Sequence, residues 1–396
     1  MSFFGNDAIN RVNLHNTIQA LAQGVGGVFV FVYLLKAGVS APLVLCTIAG
    51  MTAGRFVMRP AVLVVARRHG LRVTLMLGTI LEAAIFLLLP LVHGPGVMLV
   101  VIIAVSALGS VFYWTSLHAA SSQLGDAEHR GRQIAVGTAA SAVMNIAAPW
   151  LGGWALGAIG PVLTFGMVAV IQVAAIAPLL ALAIPPVAET APSGWRAPRL
   201  VVVLQGADGW FGAAFYNVWQ IALFVALGEH FASYGGAMAL AGLVGAGASL
   251  VVGRLIDHGH ARAWVIVAYA ACAMVTVLKA VSLHSPALAV AANALATVVA
   301  LLLGPLMMAR MYNLAKASPC PLRFTMATEG AWDIGCCAGC LSAAALAALH
   351  APLSAGILLA LGGVGVGASL LLRSYATLAT ASHVDHHTRT RSAGGR

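Results

Sequence analysis

Apolar stretches of about 20 residues or more follow one another along nearly all of this 396-residue chain. Each is long enough to cross a hydrocarbon core of ~30 Å as a helix, at 1.5 Å of rise per residue. Lipid offers a peptide group no hydrogen-bond partner, so a spanning segment must satisfy its own backbone, and an α-helix does. With 61% of its residues hydrophobic and 8% charged, the chain has no use for water as its main solvent. The expected fold class is an all-α polytopic membrane protein.

Apolar runs between Gly, Pro and polar breakers give twelve candidate helices, near 15–36, 41–66, 73–92, 97–120, 132–156, 162–185, 200–227, 232–256, 262–283, 286–314, 323–348 and 351–373. The start, Met1 to Asn16, has no basic segment ahead of an isolated apolar core, so the first stretch reads as a retained span. The net charge of +10 is spread singly between spans and builds no phosphate-binding patch, which argues against a nucleic-acid partner. Instead it reports orientation. Fifteen of the 21 Lys and Arg residues fall in connections on one side, whereas Lys36 and Lys279 sit toward the other with Glu229 and His230. The positive-inside rule then puts both termini in the cytoplasm, with the cell (inner) membrane as the expected location and a monomer as the expected state.

The polar connection Pro185–Arg199 divides the spans into two sets of six. The expected organisation is a first bundle over 1–186, a linker over 187–199, a second bundle over 200–376 and a solvated tail over 377–396. A local match supports an internal repeat: Arg67-Arg68-His69-Gly70-Leu71-Arg72 follows the second span, and Gly253-Arg254-Leu255-Ile256-Asp257-His258-Gly259-His260-Ala261-Arg262 follows the eighth.

On these residues the chain resembles the major facilitator superfamily, whose members carry a G-x-L-x-D-R-x-G-R-R loop after the second span and a weaker copy after the eighth. Here the later copy keeps Gly253, Leu255, Asp257 and Arg262, while Arg67 occupies the aspartate position of the first. His129-Arg130-Gly131-Arg132 resembles the R-G-R that opens the fifth span, and Ala148-Pro149-Trp150-Leu151-Gly152-Gly153 resembles the G-P-x-x-G-G end of a fifth-span motif associated with antiporters. The resemblance implies two pseudo-symmetric six-helix bundles, alternating access, a gating role for Asp257, and contact between the second and eleventh spans.

Ionisable groups inside the membrane cost about 2.5–3.5 kcal/mol or more, so each calls for a partner or a wet cavity. Arg55 and Arg59 lie four apart on the second span, beside Pro60, which is expected to kink it; Glu329 and Asp333 lie four apart on the eleventh. Counted from the cytoplasmic ends, Arg59 and Glu329 are both roughly 10 Å deep, and Arg55 and Asp333 roughly 15–18 Å. The expectation is a two-rung ionic zipper, Arg55 with Asp333 and Arg59 with Glu329, that closes the cytoplasmic side. Static salt bridges, or Arg55 paired with Glu82 on the third span, are the alternatives. Asp208, Glu82 and Asp333 are candidate proton-coupling groups, Asp208 because no basic residue neighbours it on its own helix.

Asn16, Gln19 and Gln23 form a polar stripe on the first span, and Gln205, Asp208, Tyr216, Trp219 and Gln220 recur on the seventh. The resemblance makes these equivalent, cavity-lining helices, joined by the fourth with Tyr113, Trp114 and His118 and by the tenth with Asn293 and Thr297. Aromatic faces mixed with amides suit an amphipathic organic solute; helix glue and interfacial anchoring are the plainer readings. A copper carrier is the alternative, since Met307 and Met311, and Cys336 and Cys340, each stand four apart. No HExxH or nucleophile with a base is present, so no cofactor or enzymatic activity is expected. A secondary transporter, proton-coupled and exporting a small amphipathic solute, is the function expected.

Overall fold

In a computed structural model the chain is described over residues 6–124, 130–256 and 261–373, leaving aside the side chains of 130–142, 145, 192, 250–256, 261, 262 and 304–310. The described residues are helical and contain no strand. Nine segments among them are long and apolar enough to cross a membrane, and one, Ala41–Leu91, has 51 residues. That length suffices for two passages, at about 20 residues each.

Helix α1 (Asp7–Val25) begins eight residues before the apolar run does, because Asn6 caps it by accepting the Ile9 N–H at 3.1 Å. A 3-10 turn at Gly27–Phe29 joins it to α2 (Val30–Lys36). Helix α3 (Ala41–Leu88) then runs through the expected connection near 67–72 with a single non-helical residue, Gly70, at φ 83°. Only a residue without Cβ adopts that conformation cheaply, so the chain reverses on one glycine. Pro60, expected to kink the helix, lies inside it with helical dihedrals.

Next come α4 (Val97–Leu124), α5 (Arg130–Ala158) and α6 (Pro161–Ala174). The sixth apolar run, expected to continue to 185, changes to a 3-10 turn at Ala177–Leu179, where Pro178 has no N–H to extend the ladder. Helix α7 (Arg199–Gly212) widens into a π-helical segment, Ala213–Val218, before α8 (Trp219–Ala226). Then follow α9 (Phe231–Ile256), α10 (Ala261–Ser282), α11 (Pro286–Ala317), α12 (Pro321–Ala348) and α13 (Leu353–Leu358), the last continued helically to Arg373. Pro161, Pro286 and Pro321 each open a helix, where a missing N–H costs nothing.

Late helices pack on early ones: α12 lies against α3 and α7, α9 against α5, and α11 against α4. These approaches are close. A Cβ on Gly335 of α12 would come 1.9 Å from the Gly206 carbonyl oxygen of α7, and one on Gly235 of α9 would come 2.3 Å from that of Pro149 in α5. The end of the fifth-span motif therefore serves as a packing surface, with no room for any side chain larger than hydrogen.

At the end of the molecule that carries Lys36 and Glu229, paired at 3.6 Å, an aromatic plug joins early and late helices. Phe29 meets Phe231 and Tyr234 edge-on with centroids 6.2 and 5.6 Å apart, and Tyr33 stacks on Phe231 at 6.5 Å. Toward the opposite end, the connection before α7 folds onto α12. Arg323 donates to the carbonyl oxygens of Ala188 and Glu189, both at 3.0 Å, while Val187 and Ala191 pack against Cys320, Leu322 and Met326.

Candidate functional site

The α3–α12 contact brings four ionisable groups into the protein interior. Arg55 and Arg59 project from one face of α3, Glu329 and Asp333 from one face of α12, and the Phe56 ring lies beside Gly330 between the two carboxylates. Arg59 Nη1 donates to Glu329 Oε2 at 2.9 Å and Nη2 to Asp333 Oδ2; Arg55 Nε lies 3.2 Å from Asp333 Oδ1 and its Nη2 lies 3.8 Å from Glu329 Oε2. Each guanidinium thus reaches both carboxylates. Both expected rungs are present, and the diagonals Arg55–Glu329 and Arg59–Asp333 cross-link them into a square, because four residues of helix rise only ~6 Å and an arginine side chain spans that distance. Two positive and two negative charges balance, the condition under which such groups tolerate burial.

Neutral groups complete the shell. Thr115 of α4 accepts from Arg59 Nη1 at 2.9 Å and donates to Glu329 Oε2 at 3.2 Å. His118, one turn further along α4, lies 3.4 Å from Glu329 Oε1 through Nε2 and 2.7 Å from the Tyr312 hydroxyl of α11 through Nδ1, with Trp114 stacked on its ring at 5.6 Å. Thr115 is not among the residues the sequence singles out, and His118 is expected on the cavity wall. Their depth was a usable signal, since both lie six to nine residues from the end of α4 at Leu124, about the level of Arg59 and Glu329.

Glu82 does not pair with Arg55. Its Oε2 accepts from Gln19 Nε2 at 2.6 Å and Gln172 Nε2 at 3.1 Å, so Gln19 belongs to a buried carboxylate site between α1, α3 and α6. Asp208, expected to be isolated, accepts the indole N–H of Trp332 at 3.0 Å, and Arg55 sits over the Trp332 ring 5.5 Å from its centroid. A small cavity beside Asp208 is lined by Phe211, Tyr269, Cys272 and Val364.

The remaining candidates divide. Tyr113 and Trp219, expected on a cavity wall, are 1% and 3% exposed: Tyr113 packs against His15, and Trp219 donates to Asn293 Oδ1 at 2.9 Å. Trp114 and Tyr216 are 38% and 41% exposed, and Asn16, Gln23 and Gln220 are half-buried. Thr297 bonds the Ala241 carbonyl at 3.1 Å. Asp257 lies outside the described residues, as does the side chain of Met307. Met311 faces Gln205, and Cys336 and Cys340 face the Asn217 amide at 3.6 and 3.8 Å. Met311 is six residues from the end of α11 and Cys336 fifteen from the start of α12, which sets them at about 9 and 22 Å along adjacent antiparallel helices. That difference in level argues against one soft-metal site built from both pairs. Lys279, expected toward the far face, is 1% exposed in the last turn of α10.

No curated protein matches the chain. Among solved structures it is similar to the crystal structure of an auto-inhibited POT family peptide transporter, at a TM-score of 0.64 and 12% identity, covering 93% of this chain and 96% of that one. At that identity the likeness is one of fold. The sequence profile of the Major Facilitator Superfamily matches residues 15–320, well over half of the chain. The chain therefore belongs to the major facilitator superfamily, a family of membrane transporters.

Proposed function

We propose that this chain is a proton-coupled secondary transporter of twelve spans in two six-helix bundles, exporting a small amphipathic organic solute by alternating access. The observation that carries the reading is the square of Arg55, Arg59, Glu329 and Asp333, buried where α3 of the first bundle meets α12 of the second. Buried charges drawn from both bundles are stable only while the bundles touch. Parting α3 from α12 exposes them to water, which then solvates them, so the contact can serve as a latch with two states.

The charge balance supports proton coupling. A proton on Asp333 removes one of two negative charges facing two guanidinium groups and leaves the square with a surplus cation, which weakens the closed state. Asp208 joins this arrangement through Trp332, whose ring face carries Arg55. Glu82, held by two glutamine amides, is a second proton-binding candidate within the first bundle. Half-buried amides on α1 and α8, with exposed Trp114 and Tyr216, suit stacking and hydrogen bonding to an amphipathic solute. Export rests on the likeness of the fifth-span motif to that of antiporters. We place the latch on the cytoplasmic side of the cell membrane, with both termini in the cytoplasm, and expect a monomer.

The test begins with a solute screen by thermal stabilisation of the purified protein, since a ligand that binds only the folded state raises its melting temperature. Stabilising solutes are then followed in proteoliposomes with and without a pH gradient. Movement against a solute gradient that collapses with the pH gradient supports the proposal. Transport indifferent to the pH gradient removes the coupling, and a chain that moves none of its stabilising solutes removes the transport assignment of this site.

A further inference from the structure

Lys279 is a lysine inside a membrane-spanning helix with no carboxylate within ion-pair distance among the described residues. Its amino group is not bare. Nζ donates to the carbonyl oxygen of Phe215 at 2.8 Å and lies 3.5 Å above the centroid of the Phe215 ring, 4.9 Å from that of Trp219 and 5.9 Å from that of Tyr216. One carbonyl and a set of aromatic faces is the chemistry by which proteins hold alkylammonium ligands. Here all of it comes from one stretch of backbone, the π-helical segment Ala213–Val218 and the first residue of α8.

We infer that this segment is an alkylammonium-binding site occupied by the chain's own Lys279, and that the bound ammonium holds the seventh span in its π-helical register. A π segment carries i→i+5 bonds and so places an extra residue in the helix. One residue is worth roughly 100° of rotation. Everything after Val218 is therefore turned by about that angle from where a regular α-helix would put it. In that turned position Trp219 meets Asn293, and Gln220 takes its half-buried setting. A cation at Phe215 supports the register electrostatically, because it attracts the carbonyl and the aromatic faces that the widened turn presents to it.

The inference concerns the shape of the seventh span and does not depend on the transport proposal. It is tested on the purified protein with two variants, Lys279→Met, which fills the space without a charge, and Lys279→Ala, which empties it. A cysteine at position 220, in a background lacking the six native cysteines, reports the register through its rate of maleimide labelling. In Lys279→Met the labelling rate is expected to change several-fold and the melting temperature to fall. In Lys279→Ala, n-propylammonium is expected to raise the melting temperature and return the labelling rate toward that of the parent, with no effect on the parent and none from n-propanol. Parent-like labelling and melting in Lys279→Met overturns the inference, whether or not Lys279→Ala can be purified. Equal rescue by n-propanol also overturns it, since the cavity would then require filling and not a cation.

Discussion

Trp332 donates its indole N–H to Asp208 at 3.0 Å and turns its ring face to the guanidinium of Arg55, 5.5 Å from the centroid. One side chain thereby connects a carboxylate of α7 with the ion cluster between α3 and α12. Replacing Trp332 with Phe keeps a ring beneath Arg55 and removes the donor. A hydrogen bond to a charged acceptor contributes about 1.5–3 kcal/mol, so W332F should melt earlier, and D208N in the same background should cost little more. The measurement is a double-mutant cycle on thermal unfolding, and additive losses would show that the two residues do not interact.

Removing a single member of the square leaves an uncompensated charge in the interior. Arg59→Met is expected to cost about 3–5 kcal/mol, more than a neutral change at the same depth. The double variant Arg55→Asp with Asp333→Arg restores charge balance and should recover part of the stability lost by either change. Arg55→Asp with Glu82→Arg should recover none, since Glu82 is bonded to Gln19 and Gln172. Melting temperatures of the four proteins decide between the two partners.

Much of this cluster was readable before any coordinates, because helical rise is regular and depth can be counted from the ends. Counting put Arg55 and Arg59 level with Glu329 and Asp333, but it could not say that each arginine reaches both carboxylates, which depends on side-chain torsions. His118 and Thr115 were harder to see, since neutral polar groups create no demand for a partner that a sequence reader can count. Asp208 looked alone because its donor, Trp332, lies on another helix. Lys279 lies three residues from the end of its span, toward the face expected of it, but the carbonyl and rings that receive it belong to another helix and leave no mark near it in the sequence. Nothing in the composition of Ala213–Val218 announces a π-helical turn.

At the Lys36–Glu229 end, closure depends on backbone approach between α5 and α9. A Cβ at Gly153 would come 2.5 Å from the Phe231 carbonyl oxygen. Gly153→Leu should wedge the helices apart and loosen the aromatic plug. A cysteine at Gln23, deeper along α1 than Phe29 and Tyr33, should then react faster with an impermeant maleimide applied from that side. Unchanged labelling would mean that the plug does not seal this face.

The connection before α7 is held by two hydrogen bonds from Arg323 to the carbonyl oxygens of Ala188 and Glu189. Arg323→Gln should release it at a cost of about 1–3 kcal/mol, the range for charge-assisted bonds to a backbone. Limited trypsin digestion should then cut faster at Arg196 and Arg199, with the helices still folded by circular dichroism. Equal digestion of parent and variant would show that the apolar contacts of Val187 and Ala191 suffice.

Because every guanidinium in the square touches both acids, no small sliding of α12 along α3 can free one pair while sparing the other. The joint resists graded yielding and releases as a unit, so the free energy for letting go must be delivered in a single event. On the alternating-access reading proposed above, such a joint favours discrete states with little population between them, and discharge of one of its four charges is what would select between them.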